Sequence, residues 1–327
     1  MSHSWSTQGF VGFLSACLLG VLPATAWAQS GGSCGEGCAE PVPPPVSCEE
    51  GCTRNVSGSA GVNIGAGEVV CVQPETTLSG GVNMNGGELR VCGIANPAYF
   101  NLNGGNVTVL GQAAFTNLNA NSSASTLSNY GVLGVGNLSF RGAFENYGVA
   151  SVANDLNVDA GAALLNTGEL TLARSLNNSG VVSNAGVLSV AGALRNNGNG
   201  TLGNACEATV QGNVDLGGPS SNTGILSSGA TVTVNRPLAL GASSTLETND
   251  LIVNAAINGP EESCAEISVE NLTILNGGAV VSGLVDICDA NGIETNNATL
   301  GSGVTTDCSC EISCEGEGEA PSCPEGE

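Results

Sequence analysis

The cysteines are the residues of this chain whose type and spacing point most plainly to chemistry. Cys34 and Cys38 lie four residues apart, Cys48 and Cys52 repeat that spacing, and related acidic phrases return near the C-terminus. Zinc sites also use clustered cysteines, but clusters without histidine in a chain predicted to be exported favour disulfide bonds. The disulfide candidates are Cys34, Cys38, Cys48, Cys52, Cys71, Cys92, Cys288, Cys308, Cys310, Cys314 and Cys323.

Residues for acid-base or nucleophilic catalysis are scarce. The single histidine is His3, inside the predicted export signal, and the chain has no lysine. The mature chain therefore has no Ser-His-Asp triad, Cys-His pair, histidine zinc site or lysine chemistry. A carboxylate pair or an arginine base, as in enzymes that cleave polysaccharides, is the alternative. The candidates are Asp155 with Asp159, Glu261 with Glu262, and Arg141 or Arg174, and since their spacing singles none out we expect no enzyme.

One segment groups oxygen ligands in a way that a calcium ion uses. Asp286, Asp289, Asn291 and Glu294 surround an Asn-Gly turn. The segment lacks the regular ligand order of a calcium-binding loop, so a polar turn is the competing interpretation. We predict no cofactor, with calcium as the alternative.

The N-terminus predicts export. Residues 1–28 contain an apolar core and end in Ala26-Trp27-Ala28, a small-x-small cleavage pattern. The alternative is lipidation at Cys17, which follows a small-residue box. After cleavage no apolar run approaches the length that spans a bilayer, so we expect a secreted or surface-associated product.

The net charge of the chain limits the classes of partner that it can bind. It has 29 acidic and 6 basic residues and a net charge of −23. Nucleic acid is excluded as a partner because phosphate binding requires clustered positive charge. An acidic surface favours solubility and contacts with cations.

A repeated phrase, Asn-x-Gly-x-apolar-x-apolar, determines the predicted fold. Successive copies beginning at Asn129 and ending at Asn222 are 17, 20, 18, 20 and 18 residues apart. A period near 20 with strand alternation predicts one coil of a parallel β-helix per repeat. We therefore predict an all-β solenoid over 61–305, between a Cys/Pro/Gly-rich arm at 29–60 and an acidic cysteine-rich tail at 306–327.

Alignment on the phrase gives each coil two inward-facing sides, one after the phrase and one at residues such as Leu156 and Leu176. The corner asparagines are predicted to form a hydrogen-bonded ladder. The corner glycines are predicted to supply left-handed backbone. An outward column of small hydroxyls is also predicted, and an adhesive strip, an ice-ordering surface and an ordinary strand exterior are its three interpretations. The column contains Ser151, Thr171, Ser189, Thr209 and Ser227.

Two cysteine pairs are separated by about one coil. Cys71 and Cys92 are 21 residues apart, and Cys288 and Cys308 are 20 apart. We predict that each pair joins adjacent coils near one end of the stack, where an uncovered sheet edge would otherwise be exposed.

The run from Asn129 to Leu226, with coils such as Asn166 to Leu172, resembles the repeats of filamentous-haemagglutinin-type bacterial surface proteins. The resemblance implies a right-handed parallel β-helix, secreted or on the outer surface of a bacterium, with a structural or adhesive role. The partners we expect are further copies of the chain, joined by the cysteine-rich ends into fibres, or components of the cell surface or extracellular matrix. The alternatives are a polysaccharide-binding or polysaccharide-degrading β-helix and an ice-binding protein.

Overall fold

The structure is a computed structural model that describes residues 44, 47, 48, 50–289 and 291–308. The predicted export signal, Cys17 and most of the two predicted tails lie outside these residues. So do five disulfide candidates, Cys34, Cys38, Cys310, Cys314 and Cys323.

The described residues form an all-β parallel solenoid of about 13 turns without helices, as the repeat predicted. Each complete turn has three sides, and we name them the first, second and third faces. The first face is one parallel sheet of 14 strands. Its strands are Arg54–Asn55, Val69–Val72, Glu88–Val91, Gly105–Val109, Ser125–Asn129, Ala143–Asn146, Ala163–Asn166, Val181–Asn184, Thr201–Asn204, Ser220–Asn222, Leu238–Leu240, Ala256–Asn258, Val280–Ser282 and Thr299–Leu300.

The second and third faces are parallel stacks that five long strands connect. The second face contains Thr77–Leu78, Ile94–Ala95, Val149–Val152, Glu169–Leu172, Val187–Val190, Glu207–Val210, Val285–Asp289 and Val304–Thr305. The third face contains Val62–Ile64, Val82–Met84, Phe100–Leu102, Leu156–Val158, Leu176–Asn178, Leu194–Asn196, Val214–Leu216 and Ile293–Thr295. The strands that run through both faces are Gln112–Ala120, Val132–Phe140, Ile225–Val234, Thr245–Val253 and Ala265–Leu275.

The first face is an inward side that the repeat alignment did not predict. From Ser125–Asn129 to Thr201–Asn204 each of its strands ends at the corner asparagine, and the buried apolar residue lies two positions earlier, as Phe144 does before Asn146. Because the alignment started at the asparagine, it counted only the two sides that follow. The interior of one coil is therefore filled by Phe144, Val152 and Leu156 from three directions.

The corner glycines have a different role from the predicted one. None of Gly131, Gly148, Gly168 and Gly186 has a positive φ. A Cβ placed on Gly168 would instead overlap the backbone carbonyl oxygen of Gly148 in the preceding coil. At these glycines the stacked backbones approach too closely for a side chain.

Cys206 occupies this corner position in one coil, and the local spacing differs there. The Glu207 amide donates to the Gly186 carbonyl oxygen over 3.2 Å, whereas the corresponding bond from Val187 to Gly168 is 2.9 Å. A slightly wider gap is what an added Cβ requires.

Candidate functional surfaces

The predicted hydroxyl column lies on the outside of the second face. Ser151 stands opposite Thr171, and the register continues coil by coil through Ser189, Thr209 and Ser227. Beyond Ser227 the same position holds Glu247, whose carboxylate accepts a 2.7 Å hydrogen bond from the Ser227 hydroxyl.

The neighbouring outer column contains both apolar and acidic residues. Val132 and Val149 are 47% and 38% exposed, and Glu169 and Glu207 interrupt the apolar run. The second face thus presents a narrow mixed strip, not a uniform array of hydroxyls.

The corner asparagines form the predicted ladder, and it is buried. Nδ2 of Asn146 donates to Oδ1 of Asn166 at 2.8 Å and to the Glu169 carbonyl oxygen at 2.9 Å. Because a carbonyl oxygen only accepts, the second bond fixes the orientation of the amide. The ladder members are Asn129, Asn146, Asn166, Asn184, Asn204 and Asn222.

The ladder ends where the sequence replaces asparagine by an aliphatic residue. Asn129 stands opposite Val109, and Asn222 stands opposite Leu240. Oδ1 of Asn129 is buried and has no donor among the described residues. The asparagine of the repeated phrase is therefore an internal structural element.

The N-terminal end is fastened by two disulfides that cross the first face. Cys52 is bonded to Cys71, and Cys48 is bonded to Cys92, with a Cα–Cα distance of 5.9 Å in each case. The prediction of a Cys71–Cys92 bond is therefore wrong. Cys71 is 19 residues from Cys52 and 21 residues from Cys92, and both separations are close to one coil. Sequence separation alone therefore could not decide which of the two is the partner of Cys71.

Arg90 reinforces this fastening. Its guanidinium donates to both carboxylate oxygens of Glu88, at 2.6 and 3.2 Å, and to the backbone carbonyl oxygens of Ser47 and Glu50. The hydrogen bond that Arg90 donates to Glu88 raises the pKa of Arg90. One side chain thus joins the strand Glu88–Val91 to the segment that carries Cys48.

The C-terminal end of the described stack is more open. The predicted pair Cys288 and Cys308 is bonded, with a Cα–Cα distance of 4.7 Å. Leu300 continues the core-facing column of the fully buried Val281, yet it is 39% exposed. In the first coil, by contrast, Ile64 is only 1% exposed.

Two cysteines that were not among the disulfide candidates, Cys206 and Cys264, are disulfide-bonded as well.

Two tyrosines stack at the outer corner beside the ladder. The rings of Tyr130 and Tyr147 are 4.6 Å apart and inclined by 10°. Burial, together with the nearby Glu145 carboxylate, raises the pKa of both phenols. Glu145 also accepts a 2.9 Å hydrogen bond from the Ser128 hydroxyl.

The catalytic candidates have structural partners. Asp159 lies 3.8 Å from the Arg141 guanidinium. Asp155 accepts a 3.0 Å hydrogen bond from the Ser175 amide in the next coil. The structure therefore brings Asp159 to an arginine and Asp155 to the backbone.

The remaining catalytic candidates, Glu261, Glu262 and Arg174, are exposed. They lie on turns between strands of the stack.

The segment considered for calcium is tied into the last coils. Asp286 is buried and accepts a 2.9 Å hydrogen bond from the Thr305 hydroxyl. The Asp289 carboxylate accepts a 2.8 Å hydrogen bond from the backbone amide of Asn291. Within the described ranges, no group of three His, Cys, Asp or Glu side chains is placed to hold a metal ion.

The third face carries a surface that the sequence analysis missed. Its outward positions in the first five coils hold Tyr99 and a set of asparagines. The signal was present in Asn63, Asn83 and Asn101, which follow the coil interval without the Asn-x-Gly phrase. The alignment missed them because it used only that phrase.

Comparison with protein-family models, with curated proteins and with solved structures gives no match for this chain. Across the part of the chain that the structure describes, no helix has the length and apolar character needed to cross a membrane.

Proposed function

We propose that this chain is an exported, non-enzymatic solenoid that acts outside the cytoplasm as a structural or adhesive component, and that copies associate through their ends. The observation that carries the proposal is the contrast between its two ends. A regular stack is fastened at the first coils by two disulfides, while the core-facing Leu300 of the last described coil is 39% exposed.

Three features support a location outside the cytoplasm. The structure contains the bonds Cys48–Cys92, Cys52–Cys71 and Cys288–Cys308, and such bonds persist in oxidising compartments. The N-terminal 28 residues have the pattern of an export signal. The resemblance of the Asn-x-Gly coils to filamentous-haemagglutinin-type repeats supports a place at a bacterial surface.

Open strands support association through the C-terminal end. Among the described residues, Thr299–Leu300 and Val304–Thr305 each pair with a neighbour on one side only. Unpaired edges are templates for further strands, and an exposed core residue adds an apolar contact. A second copy of the chain provides both kinds of partner.

The test is to export the full chain with its own leader and to examine it by native electrophoresis and electron microscopy, with and without reductant. We expect end-to-end assemblies, and we expect Leu300→Asp to reduce them. Val181→Asp is the matched control because Val181 is also apolar and 50% exposed, but lies on the side of the stack. Monomers alone under both conditions, or equal loss in both variants, would refute association through the ends.

A further inference from the structure

The third face differs from the rest of this acidic protein because its first five coils carry no acidic side chain on the outside. From residue 61 to residue 139, all of them described, its outward positions are glycine, asparagine, serine and one tyrosine, and the next outward position is Arg141. The chain as a whole carries a net charge of −23. We name this strip the amide strip; its polar members are Asn63, Asn83, Asn85, Asn101, Asn103, Asn117, Asn119, Asn121, Asn137 and Ser139.

The amides of the strip are oriented by their neighbours. Nδ2 of Asn101 donates to Oδ1 of Asn83 at 2.7 Å, and Asn83 donates in turn to Asn63 at 3.3 Å. Asn137 donates to Asn117 at 2.7 Å in a parallel row. An amide has two N–H groups and two acceptor lone pairs. A middle member such as Asn83 donates one ladder bond and accepts one, so one N–H and one lone pair remain for solvent.

Tyr99 gives the strip a flat aromatic platform. Its side chain is 51% exposed, yet Gly81, which points outward in the preceding coil, is buried. A Cβ on Gly81 would overlap Cε1 and Cζ of Tyr99, so the ring lies directly over the glycine. The ring is thus laid along the surface, with Asn83 and Asn101 on the adjacent row.

An exposed aromatic face beside oriented amides matches the chemistry of a sugar. Amides exchange hydrogen bonds with hydroxyls, and an aromatic face packs against the C–H groups of a pyranose ring. Successive coils are about 4.8 Å apart, close to the advance of one unit in an extended β-linked polymer. Anionic polymers are disfavoured because the protein itself is strongly acidic.

We propose that the amide strip binds a neutral β-1,4-linked polysaccharide that runs along the solenoid axis, with one sugar on Tyr99 and its neighbours on the asparagine rows. This inference rests on the proposed adhesive role and names the chemical class of its partner. The strip offers no paired carboxylates, so it holds the polymer without cleaving it.

The test is affinity electrophoresis and calorimetry of the full chain with cellohexaose and chitohexaose. We expect binding to both, and none to α-linked maltohexaose or to heparin. Tyr99→Ala should weaken binding about tenfold or more, as removal of a central aromatic contact does. Gly81→Ala should have a similar effect although it removes no ligand contact, because it displaces the ring.

The matched control lies on another ladder of the same protein. Asn83 and Asn254 are both middle members of exposed asparagine ladders. Asn83→Ala should weaken binding and Asn254→Ala should leave it unchanged, with circular dichroism unchanged in both.

Three results would overturn the proposal: no binding to either β-linked probe, binding that Gly81→Ala and Tyr99→Ala leave intact, or thermal hysteresis of ice growth without sugar binding. End-to-end assembly measured on the same samples separates the two ideas. If assemblies form but no sugar binds, only the polysaccharide site is refuted.

Discussion

The buried corner ladder and the amide strip are made of the same side chain at the same coil interval, with similar hydrogen-bond lengths. The bond from Asn166 to Asn184 and the bond from Asn101 to Asn83 are both 2.7 Å. Asn166 is nevertheless 1% exposed, whereas Asn101 is exposed to solvent. The two regions differ in the access of water and in the second bond that Asn166 donates to the Val187 carbonyl oxygen.

This difference determines what each ladder does. A buried amide that loses its partner keeps an unsatisfied polar group, whereas an exposed amide exchanges its partner for water. The corner ladder therefore specifies register and stability. The strip uses the same bonds only to orient its free donors and acceptors. A repeated asparagine is thus a structural signal inside the coil, whereas outside the coil it orients amides toward solvent.

The largest effect is expected at the corner itself. In Gly168→Ala the new Cβ would overlap the Gly148 carbonyl oxygen, because the Glu169 amide lies 2.9 Å from that oxygen and the wider 3.2 Å gap found at Cys206 is absent here. We expect a loss of about 4 kcal/mol in the free energy of unfolding, measured by urea denaturation. Gly161→Ala is the contrast, because Gly161 has no atom near its Cβ position and its cost arises only from a φ of 85°. Equal losses in the two variants would contradict the close-approach explanation.

Asn166→Ala tests the ladder directly. The change removes the acceptor of Asn146 and the donor to Asn184, and each orphaned buried group costs about 1 to 3 kcal/mol. We expect a total loss of about 3 kcal/mol by urea denaturation. Asn254→Ala, in an exposed ladder, should change stability by less than about 0.5 kcal/mol. Similar losses at both sites would remove the distinction between the two ladders.

Asn166→Asp sharpens the same comparison. A carboxylate at this position accepts from Asn146 but has no proton to donate to Asn184 or to the Val187 carbonyl oxygen. The protonated acid can donate, so its pKa in the folded state should be raised. Stability of this variant should therefore increase as the pH falls through that pKa, and a decrease would contradict the assigned bond directions.

The disulfides at the two ends differ from both ladders, because a covalent bond is not exchanged for water. Replacing Cys288 and Cys308 by serine opens a loop of 20 residues and should cost about 2 kcal/mol. The Cys52 and Cys71 replacements should cost a similar amount, while Cys48–Cys92 and Arg90 still hold the arm. Hydrogen exchange of the terminal coils distinguishes local fraying from global loss, and unchanged exchange would contradict a fastening role.

The period of the repeat was sufficient to predict the solenoid, its strand alternation and its corner ladder. Phe144 was missed as part of a third side because the alignment began after it. The role of Gly168 was misassigned because glycine meets two physical needs, left-handed φ and close approach, and the sequence does not separate them. Cys71 was given the wrong partner because the coil interval fixes height along the stack but not the direction of a side chain.

The amide strip shows a further limit of the sequence. Its asparagines have the coil interval, yet only the register places Asn83 and Asn101 on one outer face. The platform is still harder to predict, since it depends on the contact between Tyr99 and Gly81, which are separated by about one coil.

The smallest effect concerns the tyrosine pair, which lies between the two environments. Burial and Glu145 raise the folded-state pKa of Tyr147 and Tyr130 above the value near 10 expected in the unfolded chain. The unfolded chain then loses these protons first, so it binds fewer protons than the native state as the pH rises past 10. Stability should accordingly be constant below that pH and decline as the pH approaches the folded-state values.

This alkaline window is unusually clean because the chain has no lysine and arginine stays charged. Thermal melts at pH 9 and pH 11 of the native chain and of Tyr130→Phe/Tyr147→Phe would measure the decline. The double variant should lose less stability between the two pH values than the native chain does. An equal decline would show that the pair is as open to water as the amide strip, and that stacking at the corner does not exclude solvent from the phenols.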